Sequence, residues 1–514
     1  MEFIIIAKGY AGGTAKMLRA NPHLIGINTR LWLKALRDKY NVPEMTLSAV
    51  PDEEWLAFKK KGFDIIWLMG VWQPSPESER ISKKDPKLLE AVKALPPGFD
   101  EKAIGSSPYS IYLYYLNPDL GFEWELKDTR EKLNSMGMKL MLDIVSNHTS
   151  KDAPYVKEHP ECFVQGTEQD YKEHPDWFFE TEKDGKKLYI AYGRDPNFPP
   201  WKDTAQLNYF NKDTHREMLE ALMRIAGSAD CVRCDMVMLS LNDIQEKIWG
   251  KMLRQQGYSM PQSEFWADAI RTVKAKYPNF VFLAEVYWGL EWRLQEMGFD
   301  YTYDKVTYDR LLSSSPLEIY GHLRAEKLYQ KRSARFIDNH HEKPSLAAFG
   351  KEKAMAAATV FSTVRGLRLY MDNQISGGIL KAPLQMIEPY KRNADKDITA
   401  FYDRLLQINN HPAFHGGEWT LLHVEKVSND NHSNTNILAW KWAQFRTVKL
   451  VIVNYSPNTS SGIVDFKLKP AGPKTPVKEE LSDRIFEFPP EALAGGIKLD
   501  MAPWQKFIFT LDVQ

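Results

Sequence analysis

The stretch KLMLDIVSNH, residues 139–148, sets five apolar residues around one carboxylate, Asp143, and then stops on Ser146, Asn147 and His148. Apolar residues on successive rather than alternate positions describe a strand covered on both faces, and such strands belong to parallel sheets flanked by helices. The pattern recurs in LIGINTRLW (24–32), FDIIWLMGVW (63–72), ADCVRCDMVM (229–238), NFVFLAEVYW (279–288), FDYTYDKV (299–306), SARFIDNH (333–340) and GLRLYMD (366–372), giving eight runs in all. Helical patterns lie between several of them, as in DTREKLNSMG (128–137), DTHREMLEALMRIAGSA (213–229) and EFWADAIRTVKAKYP (264–278). Eight alternating units predict an α/β chain built as a (β/α)8 TIM barrel.

Two stretches leave the alternation. Residues 149–203 are rich in Pro, Gly, Lys and aromatics, and read as a small irregular insertion after the third strand. Beyond about residue 411 come TLLHVEKV, NILAWKWA, TVKLVIVNYS, GIVDFKL and WQKFIFTL, separated by turn-rich segments. They predict a C-terminal antiparallel β-sandwich. The expected organisation is therefore a barrel over 1–148 and 204–410, an inserted domain over 149–203 and a sandwich over 411–514.

Composition narrows the class of partner. Lys plus Arg and Asp plus Glu both number 67 in 514 residues, so no basic excess favours nucleic acid or anionic lipid. No segment reaches the length of a membrane span, and MEFIIIAKGY (1–10) lacks the apolar core of a signal peptide. The expectation is a cytoplasmic protein with a neutral small-molecule partner, its oligomeric state unread. Three cysteines, Cys162, Cys231 and Cys234, are too few and too scattered for a disulfide framework. Cys231 and Cys234 lie within an expected strand, where side chains three apart face opposite ways, which argues against a redox or zinc motif.

Strand ends in a parallel barrel open on one face, so their polar residues converge. The third strand delivers Asp143, Asn147 and His148, the fourth Arg233 and Asp235, the fifth Glu285, the seventh Asn339, His340 and His341. Arg233 and Asp235 taken alone could be a structural ion pair. Taken with Glu285 they suggest an acid–base pair. Glu285 ends an apolar run, so burial is expected to raise its pKa and keep it protonated as a general acid. Asp235, two residues from Arg233, is expected to stay ionised and to serve as nucleophile.

DIVSNH (143–148), VRCDMVM (232–238), FLAEVYW (282–288) and IDNHH (337–341) resemble, in order, the four short regions of the α-amylase superfamily of glycoside hydrolases, and AQLN (205–208) resembles an additional one. The resemblance spans roughly residues 20–410. It implies retaining chemistry on α-glucosidic bonds, with Asp235 as nucleophile, Glu285 as acid/base and Arg233 orienting Asp235. It also implies that Asp143, His148 and His340 bind hydroxyls of a small carbohydrate, an α-glucoside or maltooligosaccharide, with Tyr109 as an aromatic platform. Asn147 resembles a position that ligates calcium in some members. One amide is too little for a cation that takes 6–8 oxygen ligands, so no metal and no cofactor is expected and calcium is left open.

One position departs from the family pattern. Where the pattern has Asn-His-Asp, this chain has Asn339-His340-His341. An imidazole can exchange hydrogen bonds with a sugar but offers no carboxylate charge to a developing oxocarbenium centre. Three readings follow: a working glycosidase or transglycosylase with a pocket rebuilt around His341, an impaired α-glucan-binding protein, or a scaffold that has lost catalysis.

Overall fold

The computed structural model describes residues 18–466, 475–489, 492 and 495–512. The N-terminal stretch read above for a leader lies outside the described residues. The eight apolar runs become eight parallel strands, His23–Asn28, Ile65–Met69, Lys139–Val145, Cys231–Asp235, Val281–Ala284, Tyr301–Tyr303, Ser333–Arg335 and Leu367–Met371. Each pairs with the next in sequence and the first pairs with the last, closing the barrel. The expected helices fall at Glu123–Ser135, Lys212–Ser228 and Phe265–Lys276. In the second of these Asn211 caps the start by accepting from the Asp213 amide, and Met218, Leu222, Ile225 and Ala226 form the buried stripe.

The barrel interior departs from an aliphatic core. Arg233, Arg335 and Arg368 are all fully buried, and each is matched to acceptors. Arg335 Nε donates to Asp304 Oδ2 at 3.1 Å, and Arg368 Nη2 donates to the Phe414 carbonyl at 2.8 Å. Large side chains crowd the first two strands: a Cβ on Gly26 would stand 2.9 Å from Trp67 Cε3 and 3.0 Å from Met371 Sδ. Glycine at 26 is what lets the Trp67 indole occupy its place, and that indole donates to Asp143 Oδ2 at 3.0 Å.

The insertion after the third strand is more regular than the sequence reading had it. It carries a three-stranded antiparallel sheet of Gln165–Gly166, Lys186–Ala191 and Phe178–Lys183. Its outer hairpin turns through Asp184 and Gly185, at φ 50° and 75°, so Asp-Gly supplies the two left-handed residues of a tight turn. At the base of the excursion His148–Ser150 pairs antiparallel with Thr204–Gln206.

C-terminal to the barrel, sheets of six and three strands enclose a core that includes Val448, Leu450, Ile452, Val464, Phe466, Met501 and Phe509. This is the expected antiparallel sandwich. Trp440 and Trp442 are buried against the barrel. Both indole N–H groups donate to the Thr363 carbonyl, at 3.1 Å and 2.6 Å. Trp504 packs edge-on against Tyr455, ring centres 5.3 Å apart. Among the described residues no helix is long and apolar enough to cross a membrane. Cys162, Cys231 and Cys234 are buried free thiols.

Candidate active site

The third, fourth and fifth strands lie side by side, with Arg233 in register with Asp143 on one side and Leu283 on the other. Cys231, Arg233 and Asp235 share one strand face because side chains alternate. Glu285 follows the end of its strand, and its amide donates to the Cys234 carbonyl at 2.9 Å, which places it beside Asp235. Arg233 is the hub. Its Nη1 donates to Asp235 Oδ1 at 2.7 Å and stands 3.4 Å from Asp143 Oδ1, while Nη2 lies 2.5 Å from Glu285 Oε2 as an ion-pair contact. One buried guanidinium thus holds both expected catalytic carboxyls, on adjacent strands about 4.8 Å apart.

Main chain adds to this. Met236 turns into the left-handed region at φ 42°, and its amide donates to Glu285 Oε2 at 3.0 Å. The next amide, Val237, donates to the Glu285 carbonyl at 3.0 Å. A non-glycine residue in that region carries strain that surrounding contacts must offset, and such positions cluster at functional sites.

The proton balance differs from the expectation drawn from sequence. Burial pushes Asp235 up to about 8, against the pull of Arg233 and with the Glu285 charge adding to the rise. Burial by itself would raise Glu285 as well, but Arg233, His341, the Tyr287 hydroxyl and the Met236 amide together hold it below its ordinary value. The Tyr287 bond to Oε1 is 2.8 Å. Burial thus acts on both carboxyls, and at Glu285 the guanidinium and the other donors outweigh it. Strand-end burial predicted the desolvation correctly but not that the guanidinium would reach both carboxyls. Asp143 is pushed up to about 6 by burial, with Arg233 and the Trp67 N–H pulling the other way.

The loop after the seventh strand divides its polar residues between two tasks. Asn339 Oδ1 accepts from the amides of His341 and Glu342, at 2.8 Å and 2.7 Å, and Asp338 accepts from the Ser345 amide at 2.8 Å. Glu342 pairs with Lys305 at 3.2 Å. These three brace the loop, so neither Asp338 nor Glu342 takes the place of a missing aspartate. His340 and His341 face the carboxyls. His340 is buried, and its Nε2 is 3.0 Å from the Tyr109 hydroxyl. His341 Nε2 is 3.6 Å from Glu285 Oε1, with 45 % of the side chain open to water.

Tyr109, the loosest of the sequence candidates, lies within the cluster, with the Arg233 guanidinium 5.3 Å from its ring centre. His148 is buried beside the Tyr109 main chain, and burial lowers its pKa to about 4, keeping the ring neutral. Its ring centre is 5.1 Å from that of Trp201. All eight sequence candidates thus lie at one end of the barrel. Trp67, Tyr287 and Tyr303, whose ring centre is 5.7 Å from Arg233, belong to the same shell but were absent from the candidates. Tyr287 carried a signal, an aromatic hydroxyl two residues beyond Glu285 in the stretch FLAEVYW. Asn147 Oδ1 accepts from Gln206 Nε2 at 2.9 Å and its Nδ2 lies 3.3 Å from His148 Nδ1.

A closed parallel barrel that gathers two carboxyls, an arginine and two imidazoles at its strand ends is a (β/α)8 protein with a buried polar cluster. The model of the alpha-amylase catalytic domain family matches residues 58–369, and the chain belongs to that family. An alpha-amylase, MalA, of Haloarcula japonica is 25 % identical over 267 residues, covering 50 % of this chain and 34 % of that protein. The alpha-1,4-glucan:maltose-1-phosphate maltosyltransferase of Rhodospirillum rubrum is 27 % identical over 256 residues, covering 48 % and 30 %. The chain therefore spans about a third of the length of these curated relatives. A maltogenic alpha-amylase, AmyB, from Thermotoga neapolitana has the same fold with a TM-score of 0.64, at 18 % identity over 96 % of this chain and 99 % of that one.

Proposed function

We propose that this chain is a retaining glycosidase or transglycosylase that cleaves α-glucosidic bonds in a small carbohydrate, an α-glucoside or maltooligosaccharide. The observation that carries the proposal is the Arg233 fork, whose two ends contact Asp235 and Glu285 at 2.7 Å and 2.5 Å. Retaining chemistry needs one carboxylate and one carboxylic acid about 5–5.5 Å apart around the anomeric carbon, and two acids on adjacent strands sharing one cation supply that pair. Asp235 attacks the anomeric carbon while Glu285 gives its proton to the glycosidic oxygen, forming a glycosyl ester on Asp235. Glu285 then takes a proton from water or from a sugar hydroxyl, whose oxygen displaces Asp235.

The reaction requires Asp235 ionised and Glu285 protonated at the moment of bond cleavage. A bound sugar favours the first of these, because its hydroxyls can donate to Asp235 and stabilise the ionised form. Asp143, His148 and His340 are positioned to hold ring hydroxyls, and Tyr109 to cover one face of the ring. No step needs a metal or cofactor.

The test is turnover of an aryl α-glucoside and of maltooligosaccharides, with the anomer of the first-formed product read by proton NMR. Retention is expected, with kcat falling by about 10²–10⁴-fold or more in Asp235→Asn and Glu285→Gln. An inverted product, or a Glu285→Gln variant as active as the parent, would sink the proposal. A second reading, an α-glucan-binding protein with impaired catalysis, draws on His341 standing 3.6 Å from Glu285 where the family pattern has a carboxylate. Saturable oligosaccharide binding without turnover would favour it.

A further inference from the structure

Glu285 and the two histidines of the loop after the seventh strand also form a cluster with the donor types of a metal site. A carboxylate oxygen of Glu285 and one ring nitrogen from each of His340 and His341 all lie within 4.8 Å of one another. The His341 Nε2–Glu285 Oε1 distance is 3.6 Å. His340 gives Nε2 to the Tyr109 hydroxyl, while its Nδ1 is buried without a partner.

A tetrahedral centre with bonds of about 2.0–2.2 Å sets its ligand atoms roughly 3.3–3.6 Å apart. The His341–Glu285 pair already has that spacing, and the third ligand atom has to close by roughly 1 Å at most. His341 can make up the difference because its side chain is partly open to water. The donor set selects the metal. Two imidazoles and one carboxylate suit zinc and its borderline neighbours, whereas calcium and magnesium prefer cages of oxygen. Two cations, Arg233 and Lys381, act on both histidines, and Asp143, Asp235 and Glu285 contact Arg233 and offset its charge. A hydroxyl on one histidine, as Tyr109 provides, is the kind of outer contact that fixes a metal-binding imidazole.

We propose that Glu285, His340 and His341 bind one divalent transition-metal ion of the zinc type at the mouth of the barrel. Water completes the coordination. Because the ion occupies the carboxyl assigned above to proton donation, metal and sugar exclude each other, and zinc acts as a reversible inhibitor. That second statement rests on the proposed function; the binding itself does not.

The experiment is calorimetric titration of zinc chloride into the full chain stripped with chelator, near neutral pH, with zinc-edge X-ray absorption on the complex. One ion per chain is expected, with imidazole scattering in the absorption spectrum, and affinity falling by about 100-fold or more in His341→Ala and in Glu285→Gln. His341 is exposed, so His341→Ala should keep the parent melting curve. Absence of stoichiometric binding would overturn the proposal. So would binding that survives His341→Ala, or that is lost instead on replacing His159, which forms a surface pair with Glu161 at 3.2 Å. A chain that binds zinc but cleaves no glucoside would overturn only the glycosidase reading, and the converse result would overturn only this one.

Discussion

Replacing His341 by aspartate tests how this one position governs the proton balance of the site. Nε2 of His341 lies 3.6 Å from Oε1 of Glu285, and 45 % of the side chain meets water. Burial lowers the imidazole below its ordinary pKa, against the opposing pull of Glu285, so near neutral pH the ring is uncharged. Aspartate would instead set a negative charge about 4 Å from the Glu285 carboxylate. Two unit charges at that separation interact by about 1 kcal/mol through water and about 4 kcal/mol near a protein surface. The exposure of position 341 places the effect toward the lower end, about 1–2 kcal/mol, which is roughly one pKa unit. A like charge disfavours the ionised form, so Glu285 gains affinity for a proton. With an aryl α-glucoside, kcat should rise, and the alkaline limb of the kcat/KM profile should move upward by about one unit. Added salt should shrink the displacement, since exposed charges are screened. An unmoved limb together with unchanged or lower kcat would refute the reasoning, because the imidazole would then have no hold on the Glu285 proton.

Three further outcomes follow from the packing around the site. In Tyr109→Phe the buried His340 ring loses the hydroxyl 3.0 Å from its Nε2. A hydrogen bond of about 0.5–1.5 kcal/mol predicts kcat/KM lower by a few-fold to about tenfold with the fold intact, and steady-state kinetics checks it. Asp304 is buried among His322 Nε2 at 3.0 Å, Arg335 Nε at 3.1 Å and the Thr307 amide at 3.0 Å, so Asp304→Asn leaves an uncompensated guanidinium and should cost about 3–5 kcal/mol in urea denaturation. Burial opposes the charge on Asp304, but His322, Arg335 and Thr307 hold its carboxyl well below the usual range. The stabilisation is therefore complete above the unfolded aspartate value and is lost as pH falls toward the folded one, so the parent should lose more stability in acid than Asp304→Asn does.

The barrel was legible because each strand is covered on both faces, and contiguous apolar residues such as those of Ile65–Met69 have no other soluble reading. Strand ends were less so. SARFIDNH suggested a strand as far as His340, but the ladder stops at Arg335, because Asp338 and Asn339 turn their side chains onto local amides and draw the backbone into a loop. The insertion's sheet was missed since FFETEK and KKLYIA carry charge on their open face, although the Asp184–Gly185 pair between them is a hairpin signal that could have revealed it. For the site, strand-end position was enough to choose Asp143, Arg233, Asp235 and Glu285. Their ionisation states were not readable, because they depend on which carboxyl oxygen each arm of Arg233 meets, and that is decided by inter-strand register rather than by neighbours in the chain.

The clamp at Met236 has a consequence for divergence. The groups that align Glu285 there are amides of residues 236 and 237, and an amide persists whatever side chain its residue carries. Homologous chains can therefore change the side chain at these two places, within what the left-handed backbone at 236 and the burial at 237 accept and proline apart, and still present the carboxyl at the same angle. A comparison limited to residue identity would score the pair as unconstrained while the backbone there remains fixed by the chemistry next to it.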